Sequence, residues 1–257
     1  MKVVLIGSGN VATHLGTALN KSGHTILQVY SPTTLHASKL AKSLKAEFTT
    51  DPSGLHPKAD LYLIALKDEA IGEILPFIPV KTVMVAHTSG SVSLSVFPKE
   101  FTNCGVIYPL QTFSRDRKID MRSVPFCLEC RNPSTKNKLG KLVSSLSEKL
   151  HWINSSERRS LHLAAVFANN FSNHMFVIAE EILRKSKLDF DLLRPLIAET
   201  AKKVQRHSPG EMQTGPARRG DSETIEKHMK ELTNHPEYAK IYKLISQSIE
   251  DHNGPLL

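Results

Sequence analysis

The 257-residue sequence predicts an α/β domain built on a parallel sheet, followed by an all-α C-terminal domain. Three observations carry that reading. Short apolar runs alternate with amphipathic helical stretches as far as Trp152. A glycine-rich turn joins the first run to the first helix. Beyond Trp152 no strand-like run is found, and long helical patterns follow one another. Strand–helix alternation implies right-handed βαβ units and a sheet covered on both faces.

The elements follow in order. Lys2–Ile6 is a compact apolar run ended by Gly7. Asn10–Lys21 is helical, with Val11, Leu15, Ala18 and Leu19 on one face. Ser22, Gly23 and His24 close it, and Thr25–Tyr30 reads as the second strand. Residues 35–44 form a helix. Residues 61–66, 82–86 and 106–108 are further runs of strand length, and 124–129 is another. After Trp152, residues 156–185 and 190–207 read as helices, broken from the rest by Ser208, Pro209 and Gly210. Asp221 or Ser222 can cap a helix running to about Leu232. Pro236 opens a last helix, which ends before Asn253 and Gly254. The change in pattern places two domains, a dinucleotide-binding one over 1–153 and a helical substrate and dimerisation domain over 154–257.

Composition narrows the class. Apolar residues make up 40% and charged residues 23%, with three cysteines; these values exclude a disordered chain and a disulfide scaffold. The apolar run 3–6 is far shorter than the ~20 residues that span a bilayer, and no signal-peptide pattern is seen. A cytoplasmic protein with reduced thiols is expected. The formal charge is +8, and residues 1–150 hold 18 Lys and Arg against 11 Asp and Glu. That excess is scattered, without the basic stripe of a nucleic-acid binder. It suits a small polyanion such as a dinucleotide.

Gly7-Ser8-Gly9-Asn10-Val11-Ala12 fits G-x-G-x-x-A between a strand and a helix, the dinucleotide-binding fingerprint of a Rossmann-like sheet. Gly7 permits the tight turn, Gly9 lets backbone approach a pyrophosphate, and Ala12 lets the helix pack close to the sheet. The helix N-terminus offers unpaired N–H groups to the phosphates. Gly7, Ser8, Gly9, Asn10 and Val11 are therefore the candidate cofactor loop. The second strand ends in Gln28-Val29-Tyr30-Ser31-Pro32-Thr33-Thr34, without the carboxylate that reads the ribose of NAD. Its absence permits a 2′-phosphate, to which Ser31, Thr33 and Thr34 can donate. NADP is the expected cofactor, with NAD the alternative, since no Arg clamps the phosphate and Lys39 is only a loose substitute.

Three polar islands remain. His87-Thr88-Ser89-Gly90-Ser91 follows an apolar strand, where ligands of open α/β sheets bind. Tyr108-Pro109-Leu110-Gln111-Thr112-Phe113-Ser114 is placed in the same way. Turn chemistry also uses Ser, Gly and Pro, so either island has a plainer explanation. The third lies on helix 156–185: at ~100° per residue, His162, Asn169 and Asn173 fall within about 40° of one another, a stripe that lines a cleft or ties helices together. No metal motif is found. Cys127 and Cys130 have C-x-x-C spacing but read as strand residues pointing to opposite faces.

The glycine loop, His87–Gly90, Tyr108–Phe113, the 162–170 stretch and Gly215-Pro216-Ala217-Arg218-Arg219-Gly220-Asp221, in this order, resemble bacterial NADP oxidoreductases that pair a Rossmann-like domain with an uncharacterised helical domain. That family is similar in plan to pyrroline-carboxylate reductase, and more distantly to the 6-phosphogluconate and hydroxyacid dehydrogenases. The resemblance covers nearly the whole chain and implies dinucleotide binding and dimers. Two departures stand out. Pro32 occupies a position where relatives often carry Arg, and His162 lies where the hydroxyacid dehydrogenases use a Lys as acid–base.

The expected activity is an NADP-dependent hydride transfer to or from a small carbonyl, imine or hydroxy compound. His162 is the candidate proton donor, because imidazoles titrate near neutral pH. Asn169 or Asn170 would orient substrate or a water. His87, Thr88 and Ser89 would bind the substrate's polar head, and Arg219 a carboxylate. Homodimers through the helical domain are expected, because helix 156–185 carries more apolar residues than one face can present. Two alternatives stand beside this: a non-catalytic NADP(H) sensor or scaffold, and a hydride exchanger between NADP and a flavin or deazaflavin.

Overall fold

In the computed structural model, which describes residues 1–114 and 117–253, the chain forms two compact units, Met1–Asn170 and Phe171 onward. The first unit is built on one eight-stranded sheet. Its strands are β1 (Lys2–Ile6), β2 (Thr25–Tyr30), β3 (Glu47–Thr49), β4 (Leu61–Ile64), β5 (Met84–His87), β6 (Cys104–Pro109), β7 (Phe126–Cys130) and β8 (Leu150–Trp152). They pair in the order β3-β2-β1-β4-β5-β6-β7-β8. The winding reverses between β1 and β4, and sheets of this kind bind ligands beyond the carboxyl ends of the strands at that crevice.

β1 shows why so short a segment organises the unit. Strand side chains alternate between faces. Val3 and Leu5 join Leu15 and Leu19 of α1 (Asn10–Lys21) and Leu40 of α2 (Thr34–Leu44) on one side of the sheet. Val4 and Ile6 join Ile71 and Ile74 of α3 (Asp68–Ile74) on the other. All four β1 side chains are wholly buried. A strand covered on both faces has to be apolar without interruption, which is what Val3–Ile6 shows.

The sheet departs from the all-parallel expectation at one pair. β7 runs antiparallel to β6, with Gly105 opposite Cys130 and Tyr108 opposite Cys127. Parallel neighbours need a crossover, usually a helix; the described part of the β6–β7 connection contains only a 3₁₀ turn, Met121–Ser123. α4 (Pro133–Ser144) then provides such a crossover, and β8 pairs parallel with β7. His87 belongs to β5 rather than to the loop after it. β3 and β8 have three residues each and are largely exposed, so they carry no apolar signal in the sequence.

The long helix expected over 156–185 is interrupted. α5 (Ser155–Ala165) passes into a π-helical segment, Val166–Phe171, before α6 (Ser172–Lys185). α5 starts at a capping box, in which the Asn154 side chain accepts the N–H groups of Ser156 and Glu157 and the Glu157 carboxylate accepts that of Asn154. α6 opens the second unit, followed by α7 (Arg194–Val204), α8 (Pro216–Arg219), α9 (Ser222–Glu231) and α10 (Pro236–Asn253). A 3₁₀ turn, Phe190–Leu193, precedes α7, so the helix expected over 190–207 is shorter. Asp221 caps α9 by accepting the Thr224 N–H at 3.0 Å. α10 includes Asn253, one residue beyond the expected end, and Gly254 lies outside the described residues. Among the described residues of this unit only Ala217 is buried. Among the described residues, no helix is long and apolar enough to cross a membrane.

Within the first unit a buried ion pair fixes α5. Arg158 is 0% exposed and pairs with Glu129 of β7. Its other terminal nitrogen donates to the Val92 carbonyl, in the segment after β5. Ser155 adds to the same cluster: its N–H and hydroxyl reach Glu129 at 3.0 and 2.8 Å, and its Oγ accepts the Leu94 N–H at 3.0 Å. Removing one partner of such a pair strands the other charge away from water. Arg158→Leu is therefore expected to cost about 3–5 kcal/mol of stability in denaturant unfolding, and Arg158→Leu with Glu129→Leu to recover most of it. A double variant no more stable than the single one would contradict the pairing.

Candidate functional site

The glycine turn is shaped by two different demands. Gly7 has φ +123°, and a Cβ there would stand 2.8 Å from the Ala65 carbonyl carbon and nearer still to its oxygen. The exit of β4 alone therefore excludes any other residue. Gly9 has φ −75°, open to any residue, and a Cβ added to it would meet nothing within 4 Å. No neighbour inside the protein asks for glycine at position 9. A group bound in that space would, because pyrophosphate needs backbone at close range. Gly9 is also the N-cap of α1 and no side chain caps that helix, which leaves the positive end of the dipole available. The residues fit a dinucleotide.

Around this turn the predicted cofactor residues divide. Ser8 Oγ donates to Ser31 Oγ at 2.8 Å, which joins the glycine turn to the end of β2 and leaves the Ser31 hydrogen to donate onward. Ser31 is buried, whereas Thr33, at the N-cap of α2, is exposed. Val11 is half-buried in the first turn of α1. The Asn10 amide donates to the Phe113 carbonyl at 2.7 Å, and His14 Nε2 lies 2.9 Å from the Ser114 carbonyl. The second polar island is thus folded onto α1.

The first island is held largely by its own bonds. His87 is fully buried, lies against Phe97 with ring centroids 5.6 Å apart, and accepts the Ser89 N–H on Nδ1 at 3.2 Å. Burial, with the Arg158 charge adding to it, pushes its pKa down to about 3, so the ring is neutral at physiological pH. The Thr88 N–H donates to the Ile64 carbonyl at 3.0 Å. Ser89 Oγ accepts the N–H groups of Ser91 and Val92 at 3.1 and 3.0 Å. Ser91 in turn donates to Asp68 at the start of α3. These hydroxyls build the loop.

Against that loop stand His162 of α5 and Tyr108 of β6. Tyr108 Oη and His162 Nδ1 are 3.0 Å apart, and the two rings meet edge to face. A Cβ on Gly90 would lie 2.7 Å from His162 Nδ1 and 2.9 Å from Tyr108 Cζ, so only glycine lets the loop close on the pair. Tyr108 is 9% exposed, and burial raises its pKa above the usual phenol value. The phenol keeps its proton.

Asn169 and Asn170 lie in the π-helical segment and are exposed. That segment breaks the stripe drawn at α-helical spacing, because i→i+5 bonding turns each residue through a smaller angle. Arg219 belongs to the second unit, where it stands 3.8 Å from Asp221 and remains 60% exposed. Tyr108 and Arg158 were not among the sequence-derived site residues. Tyr108 had a signal in its position at the end of a strand. Arg158 had a fainter one, a cation in the first turn of a helix, where the dipole disfavours it.

Comparison with known proteins agrees with the fold. A model of the family described as NADP oxidoreductase, coenzyme F420-dependent, matches residues 2–88, and one of a domain of unknown function, DUF2520, matches residues 124–249. A putative NADP oxidoreductase from Bacteroides fragilis is 42% identical, over 97% of this chain and 98% of that one, with a TM-score of 0.93. An imine reductase from Myxococcus stipitatus in complex with NADP+ shares the fold at 14% identity, over 99% and 96% of the two chains, with a TM-score of 0.69. A pyrroline-5-carboxylate reductase from Coxiella burnetii does so at 13% identity, over 97% of each chain, with a TM-score of 0.56. No curated protein matches the sequence. With both family models in chain order and a relative of this identity along nearly its whole length, the chain belongs to the NADP oxidoreductase family that joins a Rossmann-like domain to a DUF2520 domain.

Proposed function

We propose that the chain is an NADP-dependent oxidoreductase that moves a hydride between the nicotinamide and a small carbonyl, imine or hydroxy compound. The observation that carries this is Gly9, a glycine with open space where its side chain would be, at the uncapped start of α1. NADPH supplies the hydride when bound, and the protein has to hold the substrate and manage one proton. Gly7, Ser8, Gly9, Asn10 and Val11 would form the pyrophosphate turn, and Ser31 and Thr33 would face the 2′-phosphate. His162 manages the proton, and Asn169 and Asn170 orient substrate or water. Thr88 and Ser89, over the neutral His87, shape the wall for the substrate's polar head. Arg219, steadied by Asp221, is the candidate for a substrate carboxylate. The description of the matched family favours a second reading, hydride exchange between NADP and a deazaflavin; a deazaflavin offered as acceptor in the same assay separates the two.

The chain would work as a cytoplasmic homodimer joined through its helical unit. Three free cysteines suit a reducing compartment. Among the described residues of the helical unit only Ala217 is buried, and Leu192, Leu196 and Leu244 are each more than 60% exposed, which is little apolar burial for such a fold. A two-fold pairing supplies more.

Titration calorimetry should show NADPH binding more tightly than NADH; equal or tighter NADH would overturn the NADP assignment. Gly9→Val should abolish binding of both in a protein that still folds, since a Cβ at that position meets nothing within 4 Å among the described residues. Retained affinity in that folded variant would reduce the loop to a turn. Sedimentation at micromolar concentration should give a dimer, and a stable monomer would end the pairing proposal.

A further inference from the structure

We propose that Tyr108 is the residue that touches the substrate's heteroatom and gives it a proton, and that His162 is a positioning residue that holds Tyr108 and returns the proton to it. This rests on the reductase reading above. It differs in which side chain meets the substrate.

The argument begins with placement. Tyr108 is the penultimate residue of β6, at the carboxyl end of a strand that runs parallel to β5, where this class of sheet receives its ligands. Its hydroxyl is 3.0 Å from His162 Nδ1, and Gly90 lets the loop after β5 close on both rings. Exposure orders the pair: Tyr108 is 9% exposed and His162 is half-buried. The phenol is the inner member and the imidazole the outer one, the arrangement of a donor with a link to water.

The surrounding charges agree with those roles. Burial raises the phenol pKa, Cys127 opposite it on β7 adds to the rise, and Arg158 on α5 opposes it. Glu129 on β7 is paired with Arg158, and Asp68 on α3 is bonded to Ser91. His87 on β5 is another imidazole close to the loop, but with a pKa of about 3 it is not an imidazolium, its Nδ1 accepts the Ser89 N–H, and its Nε2 is buried. That leaves Tyr108 and His162 to do the work.

In the reductive direction the substrate carbon gains the nicotinamide hydride. The electron pair of its C=O or C=N bond moves onto the heteroatom, which takes the Tyr108 proton as the Oη–H bond breaks. The phenolate oxygen takes the proton that the His162 imidazolium holds on Nδ1, and the neutral imidazole regains one from water. The net consumption is NADPH and one proton for each double bond reduced.

Tyr108→Phe keeps the ring against Gly90 and His162 and removes the donor. With NADPH and a panel of cyclic imines and keto acids, it should lower kcat by ~10²–10⁴-fold with NADPH affinity unchanged. His162→Gln keeps a hydrogen-bonding group beside Tyr108 but cannot return a proton to it; it should lower kcat by only about tenfold and leave KM unchanged. A Tyr108→Phe enzyme within about threefold of wild type, beside a His162→Gln enzyme reduced ~100-fold, would make His162 the donor and overturn the proposal. A second readout needs no substrate. In the free protein labelled at tyrosine Cζ, the resonance lost in Tyr108→Phe should move in His162→Gln, because the 3.0 Å contact between Tyr108 Oη and His162 Nδ1 is replaced. A Tyr108 resonance unmoved by His162→Gln would overturn the pairing itself. Wild-type protein that binds NADPH and reduces nothing on the panel would instead sink the reductase reading, so the two failures are told apart.

Discussion

The ion pair between Arg158 and Glu129 is the interaction on which the arrangement of the first unit's polar end depends. A guanidinium with no exposed surface is expensive to bury, and its pairing with a carboxylate offsets that cost without adding much stability. Its effect is placement. Arg158 ties α5 to β7 through Glu129 and to the segment after β5 through the Val92 carbonyl. Its charge also reinforces the depression of the His87 pKa and opposes the rise at Tyr108. His162 lies four residues further along the same helix, one turn on, and so comes against Tyr108 and Gly90. An apolar contact at position 158 would hold α5 on the sheet but leave it freer to slide. The paired charges fix where along the sheet the helix stops.

The glycines separate what the fold requires from what a ligand requires. Gly7 and Gly90 are demanded from within, one by the Ala65 carbonyl and the other by the Tyr108 and His162 rings. At Gly9 an added Cβ meets nothing within 4 Å among the described residues. The same distinction applies to hydroxyls. Ser89 has its oxygen engaged by two backbone N–H groups, whereas Ser31 accepts from Ser8 and keeps a hydrogen to donate. The first polar island goes largely into loop architecture, whereas the Ser8–Ser31 and Tyr108–His162 contacts join segments far apart in the chain.

Much of the fold was legible in the sequence because buried strands have a plain signature. β1, β2 and α1 are found where their apolar runs and the glycine turn put them, since strands covered on both faces are mostly apolar; the one buried polar residue of β2, Gln28, is bonded to the Gly54 carbonyl and the His56 N–H. β3 and β8 left no trace, because three-residue edge strands bury too little to show a pattern. The antiparallel β7 was hidden because strand direction is set by the connection, and the β6–β7 segment reads neither as helix nor as tight turn. The π-helical segment was hidden for a different reason: Val166–Phe171 has ordinary helical composition and carries no mark of i→i+5 bonding. At the site, His162 was legible as a polar residue among Leu161, Leu163 and Val166. Its partner Tyr108, 54 residues earlier in the chain, comes beside it only through the pairing of β6 and the docking of α5.

On the proposed reading, Tyr108 and His162 would meet the substrate beside bound NADPH, beyond the carboxyl ends of β5 and β6. Nuclear Overhauser effects between the nicotinamide C4 protons of bound NADPH and the side chains of the protein test it most directly. The account predicts cross-peaks to the Tyr108 and His162 rings, lost for Tyr108 when that residue alone is deuterated. Cross-peaks only to residues elsewhere, with NADPH bound at full occupancy and the Tyr108 and His162 signals unmoved, would contradict it.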